Sequence, residues 1–359
     1  MSHSTFSITL MPAREGDCLW IEYGDAASPH RVLFDMGRQN TYAHIRQRFE
    51  KLSQDQREFE LLVISHIDRD HIEGALAFFA DPQQPVGFKE IWFNGYRHLA
   101  PASMESFGVL QAEALSGHLK DLGPAWNRQF NSGAVVCDKE GALPVVQLAG
   151  GLKLTLVSPT RAKLDALEKE WASECLKAGI VLPETYEADP TEDEAYGAPN
   201  IDLLANEMFI SDTAVANGSS IAFIAEFEGV SILLAADAHP DVLIESLGKL
   251  VAGTGAERVR LDAVKVSHHG SSHNTSNELL ALIDCPKWLV STNGSYFKHP
   301  SPSTIARLIK MGNAKEIVFN YRSSETAPWD NQAMKSQRSF TTRFPDKNQP
   351  GEIKVELLP

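Results

Sequence analysis

The chain has 359 residues, with 33 Lys and Arg against 47 Asp and Glu, a formal charge of −14 at pH 7. That balance argues against broad nonspecific adhesion to nucleic acid or to anionic membranes, and no apolar run approaches the ~18 residues of a membrane span. Four scattered cysteines (Cys18, Cys137, Cys175 and Cys285) form no CxxC pair, and the N-terminus lacks a basic start and a long apolar stretch; a cytoplasmic protein with reduced thiols is the expectation.

Short apolar or alternating runs at Phe6–Met11, Cys18–Tyr23 and Arg31–Asp35 predict strands. A further strand, Glu60–Ser65, leads to a helix near Ile72–Phe79, and Glu90–Phe93 is the next strand. Residues 105–122 carry helical spacing that stops at Gly123-Pro124, and strands follow near Val145–Leu148 and Leu152–Val157. Leu164, Leu167, Trp171 and Leu176 predict a helix over Arg161–Lys177. Between Val181 and Ala214 stand nine acidic residues, three prolines and no Lys or Arg, which reads as a solvated connector. Strand rhythm then returns: Ser220–Phe227 and Val230–Ala235 flank Glu228-Gly229, a two-residue hairpin signal. Helices at Asp241–Val251, Asn277–Ile283 and Ser303–Met311 alternate with strands at Ala263–Ser267, Trp288–Ser291 and Glu316–Asn320. The whole reads as a single domain over residues 1–345 with an insertion at about 161–215, and 346–359 as a C-terminal tail.

The chemistry concentrates in His66-Ile67-Asp68-Arg69-Asp70-His71, four metal-ligand types within six residues directly after an apolar strand. In an extended segment His66, Asp68 and Asp70 share a direction, and His71, where the chain turns into a helix, points at a neighbouring site. Two adjacent metal ions are the natural reading. Other ligand-type residues also end predicted strands: Asp35 after Val32-Leu33-Phe34, Asp237 after Ile232–Ala236, and His268-His269 after Val264-Lys265-Val266-Ser267. His299 lies in Lys298-His299-Pro300-Ser301. No GxSxG elbow and no P-loop is present. Residues 240–345 hold 13 basic and 9 acidic side chains, a local excess of +4 that suits a phosphate-bearing substrate.

The order Asp35-Met36-Gly37, His66–His71, Asp237 and His268-His269-Gly270-Ser271 resembles the metallo-β-lactamase superfamily. More narrowly it resembles the ComEC-type metallohydrolase domain, through Glu15-Gly16-Asp17, Ala236-Asp237, the HHGS segment and His299-Pro300-Ser301. The resemblance implies an α/β fold, a four-layer αββα sandwich with the metal centre at one edge between two sheets. It implies that His66 and Asp68 help hold one ion, that Asp70 and His71 hold the other, that Asp237 bridges both, and that His268 completes the second site. His269 orients a ligand or touches substrate, or takes the place of His268 as ligand. Asp35 supports the loop behind the site. Asp70, His269 and His299 are the residues expected to carry catalysis, with Lys298 beside His299. Two departures stand out. Asp68 replaces the family's usual second histidine, which admits manganese, iron or magnesium beside zinc. The separate middle histidine has no counterpart: His98 and His118 lie in the right interval without matching context, and Asn217 stands where the ComEC-like branch has an asparagine segment. The implied activity is that of a dinuclear hydrolase working through a metal-bridging hydroxide on a phosphodiester of a nucleic acid or nucleotide. The alternatives are a carboxylic ester, lactone or thioester hydrolase, or a metal-binding regulatory module without turnover.

Overall fold

A computed structural model describes residues 3–99, 112–121, 125–137, 141–179 and 199–358. The first sheet contains β1 (Ser4–Leu10), β2 (Leu19–Asp25), β3 (His30–Phe34), β4 (Leu61–Val63) and β5 (Ile91–Trp92). The second contains β6 (Val145–Gln147), β7 (Lys153–Ser158), β8 (Ala222–Phe227), β9 (Val230–Leu234), β10 (Ala263–Lys265), β11 (Lys287–Val290), β12 (Glu316–Phe319) and β13 (Thr341–Arg343). A last strand, β14 (Ile353–Glu356), joins the first sheet. The strand orders are β14-β1-β2-β3-β4-β5 and β13-β12-β11-β10-β9-β8-β7-β6. Each sheet changes from antiparallel to parallel pairing, at β3/β4 in one and at β9/β10 in the other.

Alternation along the strands decides the layers. Phe6, Ile8 and Leu10 of β1, with Ile21 and Tyr23 of β2 and Phe34 of β3, meet Leu154, Leu156, Phe223 and Ala225 of the second sheet in one core. Ring pairs Phe34–Phe223 at 5.5 Å and Trp92–Phe223 at 5.9 Å stitch the two sheets face to face. The opposite faces of β2, β3 and β4 present Trp20, Leu33 and Leu62 to helices α1 (Thr41–Glu50) and α2 (Arg69–Ala80), which bury Ile45, Phe49, Ile72 and Phe78 there. Trp20 packs against Phe49 and Phe59 with centroids 5.6 and 5.0 Å away; burying a side chain of this size stabilises by roughly 1.5–3 kcal/mol. On the second sheet, α3 (Pro240–Thr254), α4 (Asn277–Ala281) and α5 (Pro302–Lys310) connect successive parallel strands and bury Leu243, Leu247, Leu280, Ile305 and Leu308. The architecture is the four-layer αββα sandwich.

Several boundaries depart from the sequence reading. The segment taken for a C-terminal tail supplies β14, which pairs antiparallel with β1 from Ser7↔Glu356 to Leu10↔Ile353; Ile353 and Val355 enter the core. Helix α2 begins at Arg69, three residues before the predicted start, with Asp68 at its N-cap position. Of the acidic stretch, residues up to 198 lie outside the described region, as do 105–111 and 122 of the helix expected over 105–122. Within 199–214 most side chains are exposed, as a solvated connector requires, but Ile201–Ala205 is a helix, capped by the Asn200 side chain, whose Ile201 and Ala205 are buried in the main core. The Glu228-Gly229 hairpin forms as expected, both residues taking positive φ (48° and 81°), which matches the twist of its flanking strands. No helix among the described residues is long and apolar enough to cross a membrane.

Candidate metal centre

The site is assembled where the parallel strands end. After β3 comes Asp35 (φ 57°), after β9 come Ala236 (φ 46°) and Asp237, and after β10 come His268 (φ 47°) and His269 (φ 53°). Each left-handed non-glycine residue costs roughly 1–2 kcal/mol, so four of them at neighbouring strand ends is stored strain of the kind that functional sites retain. Asp35 is held in place by Ser65, whose backbone N–H and Oγ donate to its two oxygens at 2.7 Å each.

The expectation that His66, Asp68 and Asp70 share one face of an extended segment fails, because β4 stops at Val63 and the chain turns into α2 at Arg69. Asp70 and His71 sit in the first helical turn instead, and that turn performs the convergence. Gly16 permits it: a Cβ at this position would stand 1.8 Å from the backbone carbonyl oxygen of Asp70.

The convergence centres on Asp237. Its Oδ2 lies 3.5 Å from His71 Nε2 and 3.8 Å from both His66 Nε2 and His268 Nε2. Its Oδ1 lies 3.7 Å from His269 Nε2. Asp68 Oδ2 is 3.6 Å from His66 Nε2, and Asp70 Oδ2 is 3.4 Å from His269 Nε2 and 3.9 Å from His71 Nε2. Ligand atoms of His66, His71 and Asp237 fall within 4.8 Å of one another, as do those of Asp70, His71 and His269. Of the paired histidines, the one that meets Asp70 and His71 is therefore His269, the alternative left open by the sequence. His268 lies at the edge, one-fifth exposed, its Nδ1 donating to Asn274 Oδ1 at 2.9 Å with Asp212 Oδ2 at 3.4 Å.

Whether these groups suit cations is decided by their free atoms. His71 Nδ1 donates to Asp35 Oδ2 at 2.7 Å and His269 Nδ1 donates to the Ser291 carbonyl at 2.9 Å. These bonds fix both tautomers, leaving two Nε2 atoms facing each other at 3.1 Å. Two bare acceptors at that distance require a proton or a cation between or beside them. His66 Nε2 and Asp237 Oδ1 are buried with no hydrogen-bond partner among the described residues. Imidazole and carboxylate donors of this kind fit divalent transition ions.

The electrostatics agree. Burial opposes a charge on His269, yet Asp237, Asp17 and Asp70 outweigh it and raise the imidazole to about 10. Burial likewise opposes a charge on His71, which Asp237, Asp35 and Asp70 hold well above the usual histidine range. Burial would raise the Asp237 carboxyl, but His268, His71 and His269 hold it well below the usual carboxylate range. The pocket thus keeps its carboxylates ionised and draws in positive charge. His299 is the contrary case: burial, then the neighbouring His268 and His269, push it down to about 3. It stays neutral, 5.4 Å from the His268 ring and stacked on Phe297, and its buried Nδ1 has no partner among the described residues.

The middle histidines stay away. His98 is buried edge-on against Trp126 at 4.7 Å, and exposed His118 lies over Phe79. Asn217 comes nearer: its Nδ2 donates to Asp212 Oδ2 at 2.8 Å and stands 3.4 Å from His268 Nδ1, with Oδ1 buried and unpartnered among the described residues. Sequence reasoning missed Asp212, Asn274, Ser291, Lys265 and the role of Asp17. Only Asp17 carried a signal, its place in the Glu15-Gly16-Asp17 segment of the resemblance.

No family model matches the chain, and no curated protein matches it. Among solved structures it is similar to a CmlA β-hydroxylase E377D mutant, at 10% identity and a TM-score of 0.39, covering 99% of this chain and 54% of that one. It is also similar to the MIM-2 metallo-β-lactamase, at 12% identity and a TM-score of 0.30, over 72% of this chain and 77% of that one. A third is MEM-A1, a subclass B3 metallo-β-lactamase from a soil metagenome library, at 13% identity and a TM-score of 0.29, over 85% and 95%. This chain spans about half the length of the CmlA protein. At these scores the likenesses establish no kinship, and the sheets and side chains described above stand by themselves.

Proposed function

We propose that the chain is a metal-dependent hydrolase of the metallo-β-lactamase superfamily, of the ComEC-type branch, holding two divalent cations and cleaving a phosphodiester of a nucleotide or nucleic acid. The observation that carries this reading is the position of Asp237, with one carboxylate oxygen toward His66 and His71 and the other toward His269. His66, Asp68 and Asp237 would hold one cation, and Asp70, His71, His269 and Asp237 the other. Two dications held there would lower the pKa of a nearby water and stabilise charge on the oxygens of the reacting centre.

The chain's own residues supply the rest. Asp35 and the Ser291 carbonyl hold His71 and His269 in the tautomer that presents Nε2. Buried Asp70 stays ionised, since His71 and His269 together overcome the burial that would neutralise it, and an ionised carboxylate there would take a proton from the attacking water. Neutral His299, its ring 5.4 Å from that of His268, would in this reading meet the leaving side of the substrate. The +4 excess of residues 240–345 favours an anionic diester over a neutral ester.

The test compares a phosphodiester reporter with an acyl ester and a lactone, in Mn2+ and in Zn2+. The diester is expected to turn over with the higher kcat/KM, and Asp70→Asn to lower kcat by about a hundredfold or more. Faster turnover of the ester or lactone would move the assignment to acyl hydrolysis. Cation uptake with no turnover of any of the three would leave a metal-binding regulatory module.

A further inference from the structure

Behind the centre lies an ion pair with no evident structural need. Lys265, on β10 of the second sheet, is fully buried, and so is Asp17 in the loop after β1. Lys265 Nζ donates to Asp17 Oδ2 at 2.5 Å and to the Val266 carbonyl at 3.0 Å. Desolvation consumes most of what such a pair gains, and apolar residues of similar size commonly serve stability as well.

The surroundings of Asp17 give the pair a purpose. Its ligand atoms fall within 4.8 Å of those of Asp237 and His269, and of Asp35 and His71. Its Oδ1 faces His269 Nδ1 at 3.5 Å and makes no hydrogen bond among the described residues. Asp17 is therefore a carboxylate at the wall of the centre, held on one oxygen by Lys265 and bare on the other. Asp35, the other carboxylate behind the centre, is instead occupied by Ser65 and His71.

We infer that Lys265 is a positioning residue: it ties Asp17 back from the cations, so that they face three carboxylates (Asp68, Asp70 and Asp237) rather than four. The inference rests on the two-cation reading above. Its signature is opposite signs in the two single variants. Losing Lys265 frees an anion beside the cations; losing the Asp17 charge leaves a buried ammonium beside them.

The experiment is calorimetric titration of the full chain with Zn2+ or Mn2+ alone, whichever the wild type binds more tightly. Lys265→Met is expected to bind the cation about tenfold tighter or more, and Asp17→Asn about tenfold weaker or more, from charge interactions at this range. The double variant D17N/K265M is expected within about threefold of wild type, and Lys265→Arg likewise, since both restore the charge balance. Shifts of the same sign in both single variants, or no shift in either, would overturn the proposal and leave a purely structural ion pair. Should the single variants fail to fold without cations, K265M is expected to be recovered by millimolar cation and D17N not; equal recovery overturns the proposal as well. A wild type that binds neither cation removes the centre itself, whereas a wild type that binds with unmoved variants removes only the role of Lys265.

Discussion

Asp237→Ala is expected to abolish cation uptake at both positions and to lower turnover by about a thousandfold or more. Among the described residues, no other carboxylate lies within 3.8 Å of four imidazoles, and none divides its two oxygens between separate groups of them. The fold itself should persist, since Asp237 follows β9 and its loss disturbs no strand pairing. The direct readout is the thermal shift on adding Zn2+ or Mn2+. Wild type gains about 2.7 kcal/mol at a hundredfold excess over Kd, and the variant should gain none. A variant that keeps the cation-dependent shift would show that the ions, if bound, sit elsewhere.

Gly16→Ala is expected to be nearly as damaging, with no change of any ligand. Its Cβ would lie 1.8 Å from the Asp70 carbonyl oxygen and 2.7 Å from the carbonyl carbon. Those atoms belong to the first turn of α2, so they cannot swing aside as a flexible side-chain end can. Either the loop carrying Asp17 retreats or the turn carrying Asp70 and His71 moves, and both open the centre. Overpacking of this kind costs roughly 1–3 kcal/mol, and cation affinity should fall with it. Gly248→Ala is the control. It lies inside α3 with nothing within 4 Å of its Cβ, so there the added methyl should stabilise by roughly 0.8–1 kcal/mol. Unfolding curves with and without cation separate the two. A Gly16→Ala protein as stable and as avid for cations as wild type would mean that the loop can yield.

The strand ends were the legible part of this chain. Apolar runs that stop at Asp35, Asp237 and His268-His269 mark the strand ends that meet at the centre, because strand alternation and a polar stop are local properties of the sequence. The start of α2 was less legible, since its first turn holds Asp70 and His71, whose polarity serves the centre and hides the helical period. β14 was missed because Ile353-Lys354-Val355-Glu356 is a short alternation near the chain end. Asp212 was invisible for a different reason. Its acidic neighbourhood reads as solvated, while its actual partners are Asn217, five residues on, and His268 and Asn274, which share the loop after β10. Lys265 stood unremarked in the strand Val264-Lys265-Val266, since its partner Asp17 lies 248 positions earlier in the chain. Order along a chain reveals which groups end strands; it does not reveal which of them face one another.

The most direct measurement is the cation content of the purified chain, paired with anomalous scattering at the metal edges in a crystal. Two divalent ions per chain, flanking the two carboxylate oxygens of Asp237, are the predicted result. A chain free of metal after exposure to excess Zn2+ and Mn2+, or one whose ions lie away from Asp237, would contradict the account.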